Sequence, residues 1–251
     1  MRVFALIQCI ATVAAMTSPS RILGGTVTSI EQYPSMVVIL FVFEWNHVAH
    51  ICGGSLLNNR SVLTAAHCVF DASVSKYRIR VGSTWSNSGG VVHNINGIFL
   101  YDTLDYPPMI IHDIGVIRSA TNIEYSDYTR PAPIAGTTYV VPDNDYIWAA
   151  GWGGPDPEDE SELGQLRHVK FEKVNLDVCK KLFQAANYVL PADYMICVGW
   201  PTGDRSQYSG DSGSPIFHNG VVVGVCSAVV LGLPSVNIRV ANFTNWIVEH
   251  S

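Results

Sequence analysis

Short apolar runs separated by turn residues recur along this chain, at 36–43, 61–65, 77–81, 114–117, 147–150 and 221–226. Runs of that length, bounded by Gly, Pro, Asn and Asp, predict β-strands, and their steady recurrence predicts an all-β architecture. Helical signals are confined to two stretches. One spans 177–183, with Asp177 as its cap, and the other spans 242–250, where Phe243, Trp246 and Ile247 recur at helical spacing and offer one face to the body. Between 124 and 136, Asp127, Arg130, Pro131 and Pro133 interrupt regular pairing, which predicts a boundary between two β units.

The N-terminus breaks the pattern. Arg2 is followed by an apolar stretch from Val3 to Cys9 and then by Val13-Ala14-Ala15, the small-residue signature of a secretory signal peptide over 1–15. The apolar run falls short of the ~20 residues that span a bilayer, so no membrane association is expected. Secretion places the chain in an oxidising compartment, and loss of Cys9 leaves five cysteines, so at least one stays unpaired or pairs with another molecule. The formal charge is −6, and losing Arg2 and Arg21 but no acid makes it −8, which disfavours nucleic acid as a partner. The acids gather at 155–160, a solvated surface loop. His47 and His50 lack a third and fourth ligand, so no metal and no cofactor is expected.

Candidate chemistry centres on Gly210-Asp211-Ser212-Gly213-Ser214-Pro215. A serine hydroxyl is a weak nucleophile until a base takes its proton and backbone amides stand ready for the oxyanion, and glycine permits the turn that aims them. Leu63-Thr64-Ala65-Ala66-His67-Cys68 supplies a base, His67. Three aspartates follow, Asp102, Asp105 and Asp113; only Asp113 opens an apolar run, Ile114-Gly115-Val116-Ile117, that reads as a buried strand, and it is the chosen orienting acid. Taken singly, Gly-Asp-Ser-Gly is often a turn and Ala-His-Cys a packed histidine. The order His67, Asp113, Ser212 resembles that of the chymotrypsin and trypsin family of serine proteases.

Further motifs extend the resemblance over 22–251: Arg21-Ile22-Leu23-Gly24-Gly25 resembles an activation site, Cys52-Gly53-Gly54-Ser55-Leu56 the strand facing the histidine, and Gly151-Trp152-Gly153 the family's interior Gly-Trp-Gly. Arg80-Val81-Gly82-Ser83-Thr84-Trp85 and Val223-Gly224-Val225-Cys226-Ser227 are most similar to the midgut trypsins of moths and butterflies. The resemblance implies two six-stranded antiparallel β-barrels with a C-terminal helix and an active site in the cleft between them. It implies a propeptide over 16–21, cut after Arg21 by another trypsin-like protease, so that the Ile22 ammonium pairs with Asp211. It implies an oxyanion hole from the Gly210 and Ser212 amides, and disulfides Cys52–Cys68 and Cys179–Cys197, leaving Cys226 as a buried thiol. Ser227 resembles the serine that supports the buried aspartate.

Trypsins carry an aspartate six residues before the nucleophile, on the floor of the primary specificity pocket; here that residue is Ser206, and Asp204 is the nearest acid. Burying a cation with no counter-charge costs several kcal/mol, so arginine and lysine are disfavoured there. The wall positions read Ser227-Ala228-Val229 and Pro234-Ser235, whose side chains narrow the pocket toward small or apolar residues. Tyr208 stands where the family has a pocket cysteine, whose partner is absent too, and Ser214 replaces a glycine. The expected protein is a secreted, monomeric, digestive serine endopeptidase of the gut lumen, made as a zymogen and open to protein inhibitors. The alternative is a weak or inactive homologue that binds peptides or proteins.

Overall fold

The computed structural model describes residues 25–70, 73–102, 112–154, 164–200, 203 and 205–251. The signal-peptide, propeptide and activation positions, Arg21 and Ile22 included, lie outside them, as do Asp105, Asp204 and the acidic loop. Among the described residues, twelve strands form two closed six-stranded antiparallel barrels and a thirteenth, short strand is added to the second.

The first barrel takes β2 (Met36–Val42), β3 (Val48–Leu56), β4 (Ser61–Thr64), β5 (Tyr77–Val81), β6 (Val91–Leu100) and β7 (Gly115–Ser119), and closes in the order β2-β3-β4-β7-β6-β5. β5 shows why: Tyr77, Ile79 and Val81 are buried while Arg78 and Arg80 between them are partly exposed, the period-2 alternation of a strand with one face in a core. The second barrel takes β8 (Tyr146–Gly151), β9 (Arg167–Val174), β10 (Met195–Gly199), β11 (Pro215–His218), β12 (Val221–Ala228) and β13 (Ser235–Arg239), closed by β8 against β9, with the short β1 (Thr26–Val27) added on β9.

The segment between β7 and β8 passes from one barrel to the other. The Arg130 and Ala132 amides donate to Pro34 and Leu56 on the first, whereas the Ala135 amide donates to Val222 on the second. No described helix is long and apolar enough to cross a membrane.

Two details differ from the expectations. The helix α1 (Leu176–Ala185) is capped by Asn175, whose side chain accepts from the Asp177 and Val178 amides, so Asp177 sits in the first turn instead of at the cap. There its carboxylate faces the positive end of the helix dipole. The C-terminal helix α2 (Thr244–His250) starts later than expected because Val240–Asn242 forms a separate 3₁₀ turn. Phe243 and Ile247 are buried and anchor this end to the core, with Trp246 packed against it.

Candidate active site

Pairing of β4 with β7 creates one half of the site. Thr64 lies opposite Gly115, so the turn after β4 and the residue before β7 meet at the same barrel end. His67 occupies the 3₁₀ turn Ala66–Cys68, and Asp113 stands just ahead of β7 with its side chain fully buried. The Asp113 carboxylate is enclosed by donors: Oδ1 accepts the His67 backbone N–H at 2.9 Å, and Oδ2 accepts from His67 Nδ1 at 2.7 Å and from the Ser227 hydroxyl at 2.6 Å. With Nδ1–H committed to the carboxylate, the histidine's free lone pair is on Nε2, the nitrogen a general base needs. Asp102 is otherwise engaged, 2.5 Å from His112 Nδ1.

The loop that carries Ser212 is stitched to both barrels. The Gly53 amide of β3 donates to the Ser212 carbonyl at 2.8 Å, and the Gly213 amide donates to Cys226 of β12 at 2.8 Å. Within the turn the Asp211 amide bonds the Tyr208 carbonyl at 3.0 Å and the Ser214 amide bonds the Asp211 carbonyl at 2.9 Å. Gly213 has φ +77°, and a Cβ there would lie 2.2 Å from Thr64 Oγ1 and 2.4 Å from the Gly53 carbonyl, so the turn closes this tightly only with glycine. Ser212 is partly exposed at the crest.

Asp211 is buried behind that crest. Its carboxylate accepts from the Gly153 amide at 2.9 Å and the Tyr208 amide at 2.8 Å, and it has no ion-pair partner among the described residues. Burial pushes its pKa up to about 6, against the lowering effect of those two amides. A Cβ on Gly151 would stand 2.0 Å from Asp211 Oδ1, and one on Gly153 2.6 Å from its Cγ, so the glycines flanking Trp152 make room for the acid. Close by is His50, whose Cε1 lies 3.2 Å from where a Gly210 Cβ would be. Burial lowers the His50 pKa to about 4, only partly offset by backbone groups of Gly210 and Cys52, and its Nε2 makes no hydrogen bond.

At the pocket positions, Ser206 is buried and its hydroxyl donates to the Gln207 carbonyl at 2.8 Å. Val229 and Ser227 are partly buried and Ser235 is buried. Two residues that sequence reading passed over are buried with them: Gln207, 1% exposed, and Asn237, 0% exposed. The signal for Asn237 was present as a polar residue alternating with Val236 and Ile238 in a strand buried on both faces. Without the pocket disulfide, the loop after β12 is held by apolar packing and a backbone bond. Val230 and Leu233 pack on the apolar cluster of Cys179, Phe183, Cys197 and Val236, and the Leu233 amide bonds the Val230 carbonyl at 3.0 Å.

Cys52 is bonded to Cys68 and Cys179 to Cys197, while Cys226 is a buried free thiol whose pKa burial raises well above the ordinary value. Cys52, His67 and Cys68 converge closely, but the two sulfurs are bonded to each other and supply no thiolate ligand. His47 is exposed against Phe43, whereas His50 turns toward Trp152, so the two histidines have different neighbours.

A family model described as Trypsin matches residues 22–247. "Trypsin, alkaline C" of Manduca sexta is 43% identical over 251 residues, covering 96% of this chain and 95% of the relative. "Trypsin CFT-1" of Choristoneura fumiferana is 44% identical over 247 residues, covering 95% and 94%. Among solved structures, a scabies mite inactivated protease paralogue, S-D1, superposes with a TM-score of 0.79 at 25% identity, covering 91% of this chain and 97% of its own.

Proposed function

The chain belongs to the trypsin family and is a serine endopeptidase, and from that premise we propose that it cuts peptide bonds through Ser212, His67 and Asp113 behind a pocket that is not tryptic. The observation that carries the reading is the enclosed Asp113 carboxylate, which holds His67 by both its backbone and its ring. His67 Nε2 takes the Ser212 proton as the hydroxyl attacks the substrate carbonyl, Asp113 stabilises the imidazolium, and the Gly210 and Ser212 amides receive the oxyanion. Leaving-group protonation by His67 gives the acyl-enzyme, which water then hydrolyses.

The chain is proposed to be secreted as a zymogen. Cleavage after Arg21 by another protease frees the Ile22 ammonium for Asp211, a buried acid that otherwise lacks a counter-charge among the described residues. An ammonium there favours the carboxylate and fixes the loop carrying Gly210 and Ser212. Ser206 offers a substrate cation no charge, so arginine is not the preferred residue before the cut and self-activation is disfavoured. The setting proposed for it is that implied by the sequence resemblance: a monomeric digestive enzyme of the gut lumen, with dietary proteins as substrates and protein inhibitors as further partners.

The test is cleavage of a diverse peptide library by the chain cut after Arg21, read by mass spectrometry beside Ser212→Ala. Ser212-dependent cleavage is expected, with kcat falling about 10⁶-fold in the variant. Cleavage that survives Ser212→Ala overturns the assignment of Ser212 as nucleophile, whereas none above that control despite a confirmed Ile22 terminus overturns the protease reading and leaves a binding protein.

A further inference from the structure

We infer that the primary pocket selects a carboxamide side chain, asparagine or glutamine, before the bond it cuts, because four buried polar atoms on Gln207, Ser235 and Asn237 lack hydrogen-bond partners among the described residues. The inference rests on the proposed pocket positions of Ser206 and Ser235 and sharpens them. The four atoms are Gln207 Oε1 and Nε2, Ser235 Oγ and Asn237 Oδ1. Buried polar groups in folded proteins are nearly always paired, so an amide with both ends unpaired, beside two further orphans, marks a place where something else supplies the partners.

The strand register puts Asn237 and Ser235 one strand beyond the turn that carries Ser212. Gly213 and Ser214 bond to Cys226 of β12, and Cys226 lies directly opposite Asn237 of β13. Asn237 and Ser235 are two apart on that strand and share a face, and Asn237 Nδ2 donates to the Ser235 carbonyl at 3.3 Å, leaving Oδ1 free. Gln207 belongs to the loop that carries Ser212, directly before Tyr208, whose amide and carbonyl tie that turn through Asp211.

The donors and acceptors decide among side chains. An aliphatic residue leaves all four atoms unpaired while excluding water from them. A cation meets acceptors but no charge, and it confronts the Gln207 amide donor. A carboxylate finds no cation, because the Arg205 guanidinium stacks over Trp200 and donates to the Lys170 carbonyl. A carboxamide completes the set: its NH₂ donates to Asn237 Oδ1 and Gln207 Oε1, and its oxygen accepts from Gln207 Nε2 or the Ser235 hydroxyl. A site built on hydrogen bonds rejects an isostere that lacks them far more sharply than an apolar pocket rejects a change of size.

Isosteric pairs isolate this effect. With the chain cut after Arg21, kcat/KM is measured on peptides identical except for the residue before the cut, asparagine against leucine and glutamine against methionine. A preference of about 10- to 100-fold for the amide in at least one pair is expected, falling toward unity in Gln207→Met and Asn237→Leu. Should either variant fail to fold, the unsubstituted chain's ratios decide alone. Labelling of Ser212 by a fluorophosphonate separates the two readings. Label with equal or inverted ratios, or with arginine preferred, overturns the carboxamide pocket and leaves the protease. Neither label nor cleavage overturns both.

Discussion

Two groups of buried polar side chains in the candidate site are treated in opposite ways. Around Asp113 every oxygen is spoken for, with three donors on one fully buried carboxylate. Around Gln207, Ser235 and Asn237 four buried atoms have no protein partner. The difference follows from when each group meets its partner. A base and its orienting acid must be aligned before substrate arrives, so their bonds are internal and already made. Groups whose partner is the substrate stay unpaired in the free protein, at a cost to its stability.

The hardest way to break that contrast is to spoil the satisfied side alone. In Asp113→Asn one carboxylate oxygen becomes an NH₂ that cannot accept the His67 ring proton or the Ser227 hydroxyl, which turns the ring toward the wrong tautomer. We expect kcat to fall about 10⁴-fold, the size established for this change in the serine-protease triad. The ratios between amide and isosteric substrates should hold, because the pocket atoms are untouched. Ratios that collapse with kcat would mean that the two regions are one mechanical unit.

The turn between the regions gives the next largest effect, read as stability against pH in the uncleaved chain. Asp211 has its pKa raised by burial from 3.8 to about 6, so the folded state holds the proton more tightly than the unfolded chain, and stability falls as pH rises between those values. His50 has its pKa lowered from 6.5 to about 4, so the unfolded chain holds the proton more tightly, and stability rises with pH from 4 to 6.5. Each is worth about 3 kcal/mol at 1.36 per pH unit, with opposite sign, so together they leave the profile nearly flat from pH 4 to 6. Asp211→Asn should uncover the His50 slope, adding about 3 kcal/mol between pH 4 and 6.5 in urea melts. A flat profile in the variant would sink the opposition.

How much of this was legible in the sequence depends on whether a residue's neighbours are near in the chain. Strands such as Tyr77–Val81 and Val221–Ala228 declared themselves through apolar runs, and His67, Asp113 and Ser212 through local motifs. The α1 cap was misplaced by two residues because Asn175 and Asp177 both suit a cap, and only backbone geometry chooses between them. The glycines around Trp152 could be matched as a motif, but their reason, room for an acid some sixty positions later, exists only after folding. Gln207 and Asn237 carry no motif. What marks them is burial without partners at or beside the expected pocket positions, which becomes visible only once their neighbours are placed.

Ser227 belongs to both regions, and it supplies the smallest and sharpest test. Its hydroxyl donates to Asp113 at 2.6 Å, yet its position in β12 also makes it a candidate pocket wall. As a positioning residue it acts through Asp113: Ser227→Ala leaves Oδ2 with one donor in place of two, and a hydrogen bond to a charged group is worth about 1.5–3 kcal/mol. The His67 bond remains, so the cost at the reacting atoms should stay near the lower end, about tenfold in kcat with KM unchanged. Ser227→Thr, which keeps the hydroxyl, should restore kcat. If alanine instead raises KM at constant kcat, or if threonine fails to rescue, the residue serves the pocket and not the acid, and the boundary between the satisfied and unsatisfied regions shifts to the first-barrel side of β12.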